Sequence, residues 1–190
     1  MEEYIEDKEF DKLNFTEKPL KKGEYENCIF SNCNFSNSDL NQIIFLECEF
    51  INCNLSMAKL TDTAFKNVKF KDCKMLGLNF ENCNKLGLEI SFENCVLNHS
   101  IFYKINLKNT NFKNSQLHEV DFGACNLTNA IFDNCDLLKA NFDNTILEKV
   151  NFKTAYNFII DPENNRIKNA KFSIENCKGL LEKYQIKIER

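Results

Sequence analysis

An apolar residue returns at every fifth position along most of this chain. The series runs Leu20, Tyr25, Phe30, Phe35, Leu40, Phe45, Phe50, Leu55, Leu60, Phe65, Phe70, Met75 and Phe80. It resumes as Phe92, Leu97, Phe102, Leu107, Phe112, Leu117, Phe122, Leu127, Phe132, Leu137, Phe142, Leu147 and Phe152. A period of five matches neither a helix, at about 3.6 residues per turn, nor a plain strand, at about 2. A short extended piece followed by a corner does produce it. If the centre residue i and residue i−2 point inward, i−1 points outward, and i+1 and i+2 turn the chain. Asn fills i+2 at 27, 32, 37, 52, 67, 82, 94, 109, 114, 129, 134 and 144, and Asn tolerates unusual backbone angles.

Four such pieces, each turning by roughly a right angle, close one coil. Twenty residues later the chain lies one strand spacing higher, about 4.8 Å. This places Phe92, Phe112, Phe132 and Phe152 on one wall of a square shaft, and Phe102, Phe122 and Phe142 on the opposite wall. Leu97, Leu117 and Leu137, with Leu107, Leu127 and Leu147, fill the remaining two.

The repeat centres carry a resemblance. Ala58-Lys59-Leu60, Ala130-Ile131-Phe132, Ala140-Asn141-Phe142, Cys33-Asn34-Phe35, Cys53-Asn54-Leu55 and Cys125-Asn126-Leu127 fit the consensus Ala-Asp/Asn-Leu-x-x. In this the chain resembles the pentapeptide-repeat family. The resemblance implies an all-β, right-handed quadrilateral parallel β-helix. Residues 1–19 are expected as an N-terminal cap built on Tyr4, Ile5, Phe10, Leu13 and Phe15, and residues 20–154 as the β-helix. Residues 155–190 are expected as an irregular last coil, interrupted at Pro162, followed by a short C-terminal α-helix and strand. That tail presents Leu180, Leu181, Tyr184, Ile186 and Ile188, and is similar to the dimerisation module of the quinolone-resistance (Qnr-type) branch. The other reading is a monomeric cap.

One irregularity interrupts the shaft. Phe80 and Phe92 are twelve residues apart where two repeats need ten, and Lys85 falls where an apolar centre is due. The stretch 84–90 therefore holds a two-residue insertion, which is either a tolerated kink or a protruding contact point that offers Lys85 and Leu86.

Composition narrows the chemistry. Cys28, Cys33, Cys48, Cys53, Cys73, Cys95, Cys125 and Cys135 all occupy i−2, a slot shared with Ser, Thr, Ala, Val and Ile, so volume is what the slot selects. A net charge of −4 gives no basic footprint for nucleic acid. The acidic N-terminus is no secretory signal and no apolar run reaches the ~20 residues of a membrane span, which reads as a cytoplasmic protein. His99 and His118 fall in turn slots and are expected to be solvated, and no phosphate-loop or dinucleotide glycine pattern occurs. No cofactor, metal or catalytic group is expected. Qnr-type relatives imply a non-enzymatic DNA mimic that binds DNA gyrase or topoisomerase IV. The residues offered for this are Asp121, Asp136 and Asp143, with Lys85 and Leu86. The alternating column Glu93, Lys113, Asp133, Lys153 and the run Lys59, Lys66, Lys69, Lys71, Lys74 argue against a one-signed field. The alternative is a structural or adaptor rod that binds another protein.

Overall fold

A computed structural model describes residues 3–187 of the chain. Its strands are short and all parallel. In order they are β1 (Glu3–Glu6), β2 (Glu9–Asp11), β3 (Gly23–Glu26), β4 (Ile29–Ser31), β5 (Ile44–Leu46) and β6 (Glu49–Ile51). Then come β7 (Ala64–Lys66), β8 (Val68–Lys71), β9 (Ile90–Glu93), β10 (Asn111–Lys113) and β11 (Ile131–Asp133). They form a seven-stranded sheet, β11-β10-β9-β8-β6-β4-β2, and a four-stranded sheet, β1-β3-β5-β7. Single bridges such as Asn34↔Asn54 and Asp121↔Asn141 continue the same stacking on the other sides. The result is a parallel β-helix with four walls.

We number the walls by their first centre residues: face 1 from Phe10, face 2 from Phe15, face 3 from Leu20 and face 4 from Tyr25. On face 1 the rings of Phe10, Phe30, Phe50, Phe70, Phe92, Phe112, Phe132, Phe152 and Phe172 form one stack with centroids 4.7–5.4 Å apart. Across the shaft on face 3, Phe80, Phe102, Phe122 and Phe142 stack likewise at 4.5–5.4 Å. The two columns meet edge to face, as in Phe112–Phe122 at 5.8 Å, the geometry favoured by the ring quadrupole. Below the insertion the second aromatic column lies instead on face 4, as Tyr25, Phe45 and Phe65.

The i−2 slot selects more than volume. Cys48 Sγ, Thr63 Oγ1 and Thr145 Oγ1 each donate to the carbonyl of a centre residue in the coil below, at 3.2, 2.8 and 2.9 Å. A small side chain with one donor fits the corner and satisfies a carbonyl there. Burial pushes the thiols of Cys48, Cys125 and Cys135 up to about 12, so they stay protonated donors. The corners at i+2 take the left-handed conformation, for example Asn32 at φ 55° and Asn114 at φ 50°. Asn82 is an exception, because Phe80–Asn82 winds into a 3₁₀ turn.

The insertion is confined between two fixed registers. Ala64 pairs with Asn84, twenty residues on, whereas Val68 pairs with Ile90, twenty-two on. Between them Asn84 Oδ1 accepts from Leu86 N at 3.0 Å, and Gly87 sits at φ 71°. Leu88 folds back against the core, while Lys85 and Leu86 face solvent.

The C-terminal helix is not α-helical. Cys177–Leu180 and Glu182–Tyr184 are two 3₁₀ turns, and Gln185 ends the second at φ 51°. Gly179 explains the tight winding. It lies so close to Phe158 that a β-carbon there would be 2.2 Å from the Phe158 carbonyl oxygen, and its own carbonyl accepts from Ile160 N at 3.0 Å. The tail is pressed onto the last coil in place of a free-standing helix. Ile186 is exposed and not in a strand, and Ile188 lies outside the described residues.

Candidate functional site

With the interior filled by packing, whatever the chain recognises meets its outer walls, its bulge or its ends. The three aspartates singled out in the sequence do not share a wall. Asp121 and Asp143 lie on face 3 and Asp136 on face 2, and each is engaged within the rod. Asp121 Oδ1 accepts from Gly123 N and Asn141 Nδ2, both at 2.8 Å. Asp136 accepts from Asn157 Nδ2 at 2.8 Å and from Leu138 N at 3.3 Å. Asp143 accepts from Asn144 and, one coil on, from Asn164.

A rule of direction runs through these contacts. The acceptor is an Asp and the donor an Asn about one coil later: Asp7–Asn27, Asp11–Asn32, Asp72–Asn94, Asp121–Asn141, Asp136–Asn157 and Asp143–Asn164. From Asp72 the ladder continues through Asn94, Asn114 and Asn134 at 3.1 and 2.9 Å. An Asp can only accept, so it serves as the first rung of an amide ladder. Only Asp7–Asn27 and Asp121–Asn141 fall at the twenty-residue offset that the repeat itself makes legible in the sequence; the other four are one or two residues off it.

His118 is not solvated as expected. It is half-buried, with Nε2 2.8 Å from Asp136 Oδ2, while His99 remains exposed with Nδ1 3.6 Å from Glu119. No cluster of three metal-ligating side chains occurs among the described residues.

Some of the charges on faces 1 to 3 pair between coils. Lys69 meets Glu49 at 2.8 Å and Lys113 meets Glu93 at 2.7 Å on face 1. On face 3 Lys22 meets Asp39 at 2.9 Å, and Lys183 from the tail holds Asp161 and Glu163 at 2.6 and 2.7 Å. The five lysines from 59 to 74 make no basic patch, because they encircle a single coil: Lys59 on face 3, Lys66 on face 4, Lys69 and Lys71 on face 1, Lys74 on face 2.

Face 4 differs. Its first three coils carry Glu6, Glu24, Glu26 and Glu47, then half-buried Ile44 and Leu46, and beyond them Lys66, Lys85, Lys108, Lys149 and Lys168, with Glu89 and the ion pair Glu148–Arg166 among these bases. Apart from Glu148 and Arg166, none of these charged residues is in an ion pair among the described residues, although Tyr4 Oη donates to Glu26 at 2.6 Å. Leu86 stands on this face with 81 % of its surface exposed. This segregation becomes visible only after the insertion is placed, since misplacing it by one repeat scrambles every later column.

The ends also differ from each other. The C-terminal end is covered by the tail, with Leu180 partly buried and Tyr184 Oη donating to Glu163 at 2.7 Å. The N-terminal end opens into an apolar hollow of about 440 Å³ lined by Ile5, Phe10, Leu13, Phe15, Leu20 and Tyr25.

Comparison with known proteins agrees with this architecture. Among solved structures the chain is similar to a trypsin-treated variant of QnrB1, a plasmid-mediated fluoroquinolone resistance protein. The two share 17 % identity over the whole of both chains, with a TM-score of 0.56, which is a likeness of fold. HetL, a pentapeptide-repeat protein involved in heterocyst differentiation regulation from the cyanobacterium Nostoc sp. strain PCC 7120, also matches. It is 17 % identical over 88 % of this chain and 86 % of that one, but a TM-score of 0.35 supports no argument. No curated protein matches the sequence. The family described as "Pentapeptide repeat region" matches over residues 23–90 and 88–156, which is most of the chain. On that match, and on the stacked five-residue coils themselves, the protein belongs to the pentapeptide-repeat family.

Proposed function

We propose that this protein is a rigid, non-enzymatic rod that acts by occupying a surface of another protein, in the cytoplasm. The carrying observation is the division of labour among its side chains. The repeat-centre aromatics from Phe15 to Phe152 are buried in the shaft, and the candidate polar residues inside the repeats are bonded to the neighbouring coil. What is left for recognition is the pattern of charge and apolar surface on flat, preorganised walls, which lose little entropy on binding.

A second reading, a DNA mimic that binds DNA gyrase or topoisomerase IV, rests on the fold shared with QnrB1 and on face 3. There Glu81, Asp121, Asp143, Asp161 and Glu163 outnumber Lys104 and Lys183 toward the C-terminal end. The paired charges of face 1 do not help it, since competing for a DNA-binding groove takes a field of one sign. In this reading the tail, through Leu180, Leu181, Tyr184, Ile186 and Ile188, would join two rods end to end.

The deciding experiment is a gyrase supercoiling assay with the purified protein, with and without a fluoroquinolone. Inhibition, or protection from the drug, supports the mimic. Absence of both, together with no binding to the enzyme, leaves the adaptor reading.

A further inference from the structure

Face 4 is the wall whose unpaired charges are sorted along the rod. Its outward column at i+1 begins Glu6, Glu26, Leu46, Lys66, Leu86, Lys108, that is acid, acid, apolar, base, apolar, base, and ends Thr128, Glu148, Lys168, with Glu148 held by Arg166. On face 1, by contrast, opposite charges pair from coil to coil, as in Glu49–Lys69 and Glu93–Lys113. On face 4 most acids lie toward one end and the bases toward the other, Glu89 and the paired Glu148 excepted, with Leu86 projecting and Ile44 and Leu46 forming a shallow apolar area two coils below. A polar wall of this kind complements itself when turned end for end.

We propose that face 4 is the interface of an antiparallel homodimer, with its two-fold axis passing near Lys66. A two-fold axis lying in the interface along the strand direction keeps each column facing its own copy and reverses its order. About Lys66, this sets Leu86 of one copy on Leu46 of the other, and Glu26 against Lys108. Each contact then occurs twice. Ala64, the buried neighbour of Lys66, adds no bulk at the axis. Shifting the axis one coil further along would instead oppose Lys66 to Lys108 through the middle of the interface and leave Leu46 facing Thr128. The chosen register keeps one like-charge contact, Lys66 with its own copy.

The overlap is small. Four strand spacings separate Glu26 from Lys108, about 19 Å, so the two copies bury less than about 1,000 Å² in total, the size of weak and transient interfaces. The dimer is therefore concentration-dependent, and its charge pairs make it salt-dependent. It is distinct from any end-to-end association through the tail.

Sedimentation equilibrium of the full chain, from micromolar to millimolar concentration at low and high salt, tests this. The expected result is a monomer–dimer equilibrium that high salt weakens. Leu86→Asp should abolish it, and Glu26→Lys or Lys108→Glu alone should raise the dissociation constant by at least about tenfold. The double reversal Glu26→Lys with Lys108→Glu should restore it. Lys66→Ala should tighten it, and Ile186→Asp in the tail should leave it unchanged. All of these side chains point outward, so thermal melts should confirm an intact shaft. A monomer at every concentration overturns the proposal. So does a dimer lost with Ile186→Asp but kept with Leu86→Asp, or a double reversal that fails to recover the single losses.

Discussion

Two serines in the same repeat slot should respond in opposite directions to the same substitution. Ser38 and Ser100 both occupy i−2 and are both buried. The Ser100 hydroxyl donates to the Met75 carbonyl at 3.0 Å and accepts from Leu78 N at 3.2 Å. The Ser38 hydroxyl is buried with no hydrogen-bond partner. Replacing Ser100 by Ala removes one hydrogen bond worth about 0.5–1.5 kcal/mol and leaves Leu78 N short of an acceptor, a total loss of roughly 1.5–3 kcal/mol. Replacing Ser38 by Ala removes an unsatisfied hydroxyl, whose burial costs about 1–3 kcal/mol, and creates almost no cavity because only one oxygen is lost. A gain of about 1 kcal/mol is expected, consistent with Ala58, Ala130 and Ala140 filling the same slot. Equilibrium urea unfolding, followed by far-ultraviolet circular dichroism, reads both variants against the parent. The midpoint should rise for Ser38→Ala and fall for Ser100→Ala, with unchanged slopes. If both variants fall by similar amounts, the slot selects side-chain volume alone and the donor argument is wrong.

Three further outcomes follow from the same geometry. Phe122 is fully buried between Phe102 and Phe142, so Phe122→Asp should cost several kcal/mol, roughly 2–7 for the polar burial alone, and melts should show it. Gly179→Ala should lift the tail off Phe158, where a β-carbon has no room, so limited proteolysis should cut the tail faster while the shaft melts as before. The tail should also open at both extremes of pH. Hydrogen bonds from Lys183 hold the carboxyls of Asp161 and Glu163 below their usual range, and Asp161 raises the Lys183 ammonium above its own. A depressed carboxyl stabilises above its unfolded pKa of about 4 and stops doing so as pH falls through the lower folded value. The raised lysine stabilises below about 10.4 and stops as pH climbs through its folded value. Protease sensitivity of the tail should therefore be lowest between those limits, and a flat profile would contradict the latch.

The sequence made the shaft plain because its constraint is repeated. A ring at every fifth position has few places to go, and the columns from Phe92 to Phe152 stack as their spacing requires. Three things were less legible. The tail Lys178–Tyr184 has the apolar spacing of a helix, but contact between Gly179 and Phe158 winds it as 3₁₀ turns, and that contact is tertiary. His118 lay in a slot that reads as solvent, yet a carboxylate one coil above draws it down. Asp121, Asp136 and Asp143 looked available because a strand's outward residues usually are. On a β-helix an outward residue also has neighbours about 4.8 Å above and below, so an isolated carboxylate can be bonded to an amide that lies twenty residues away.

That last point changes how function should be sought in such a chain. Where each outward position is one rung of a column, recognition cannot be assigned residue by residue. A column whose charges alternate, such as Glu49–Lys69, is neutral a few ångströms out and presents little field to a partner. A column whose charges are sorted keeps its field. Face 4 is sorted, and its sorting changes sign along its length, so its natural complement reverses in the same way. The single insertion in the shaft falls on this wall and places Leu86 two coils above Leu46. In the proposed dimer the projecting Leu86 beside the insertion and the sorted charges are two parts of one surface.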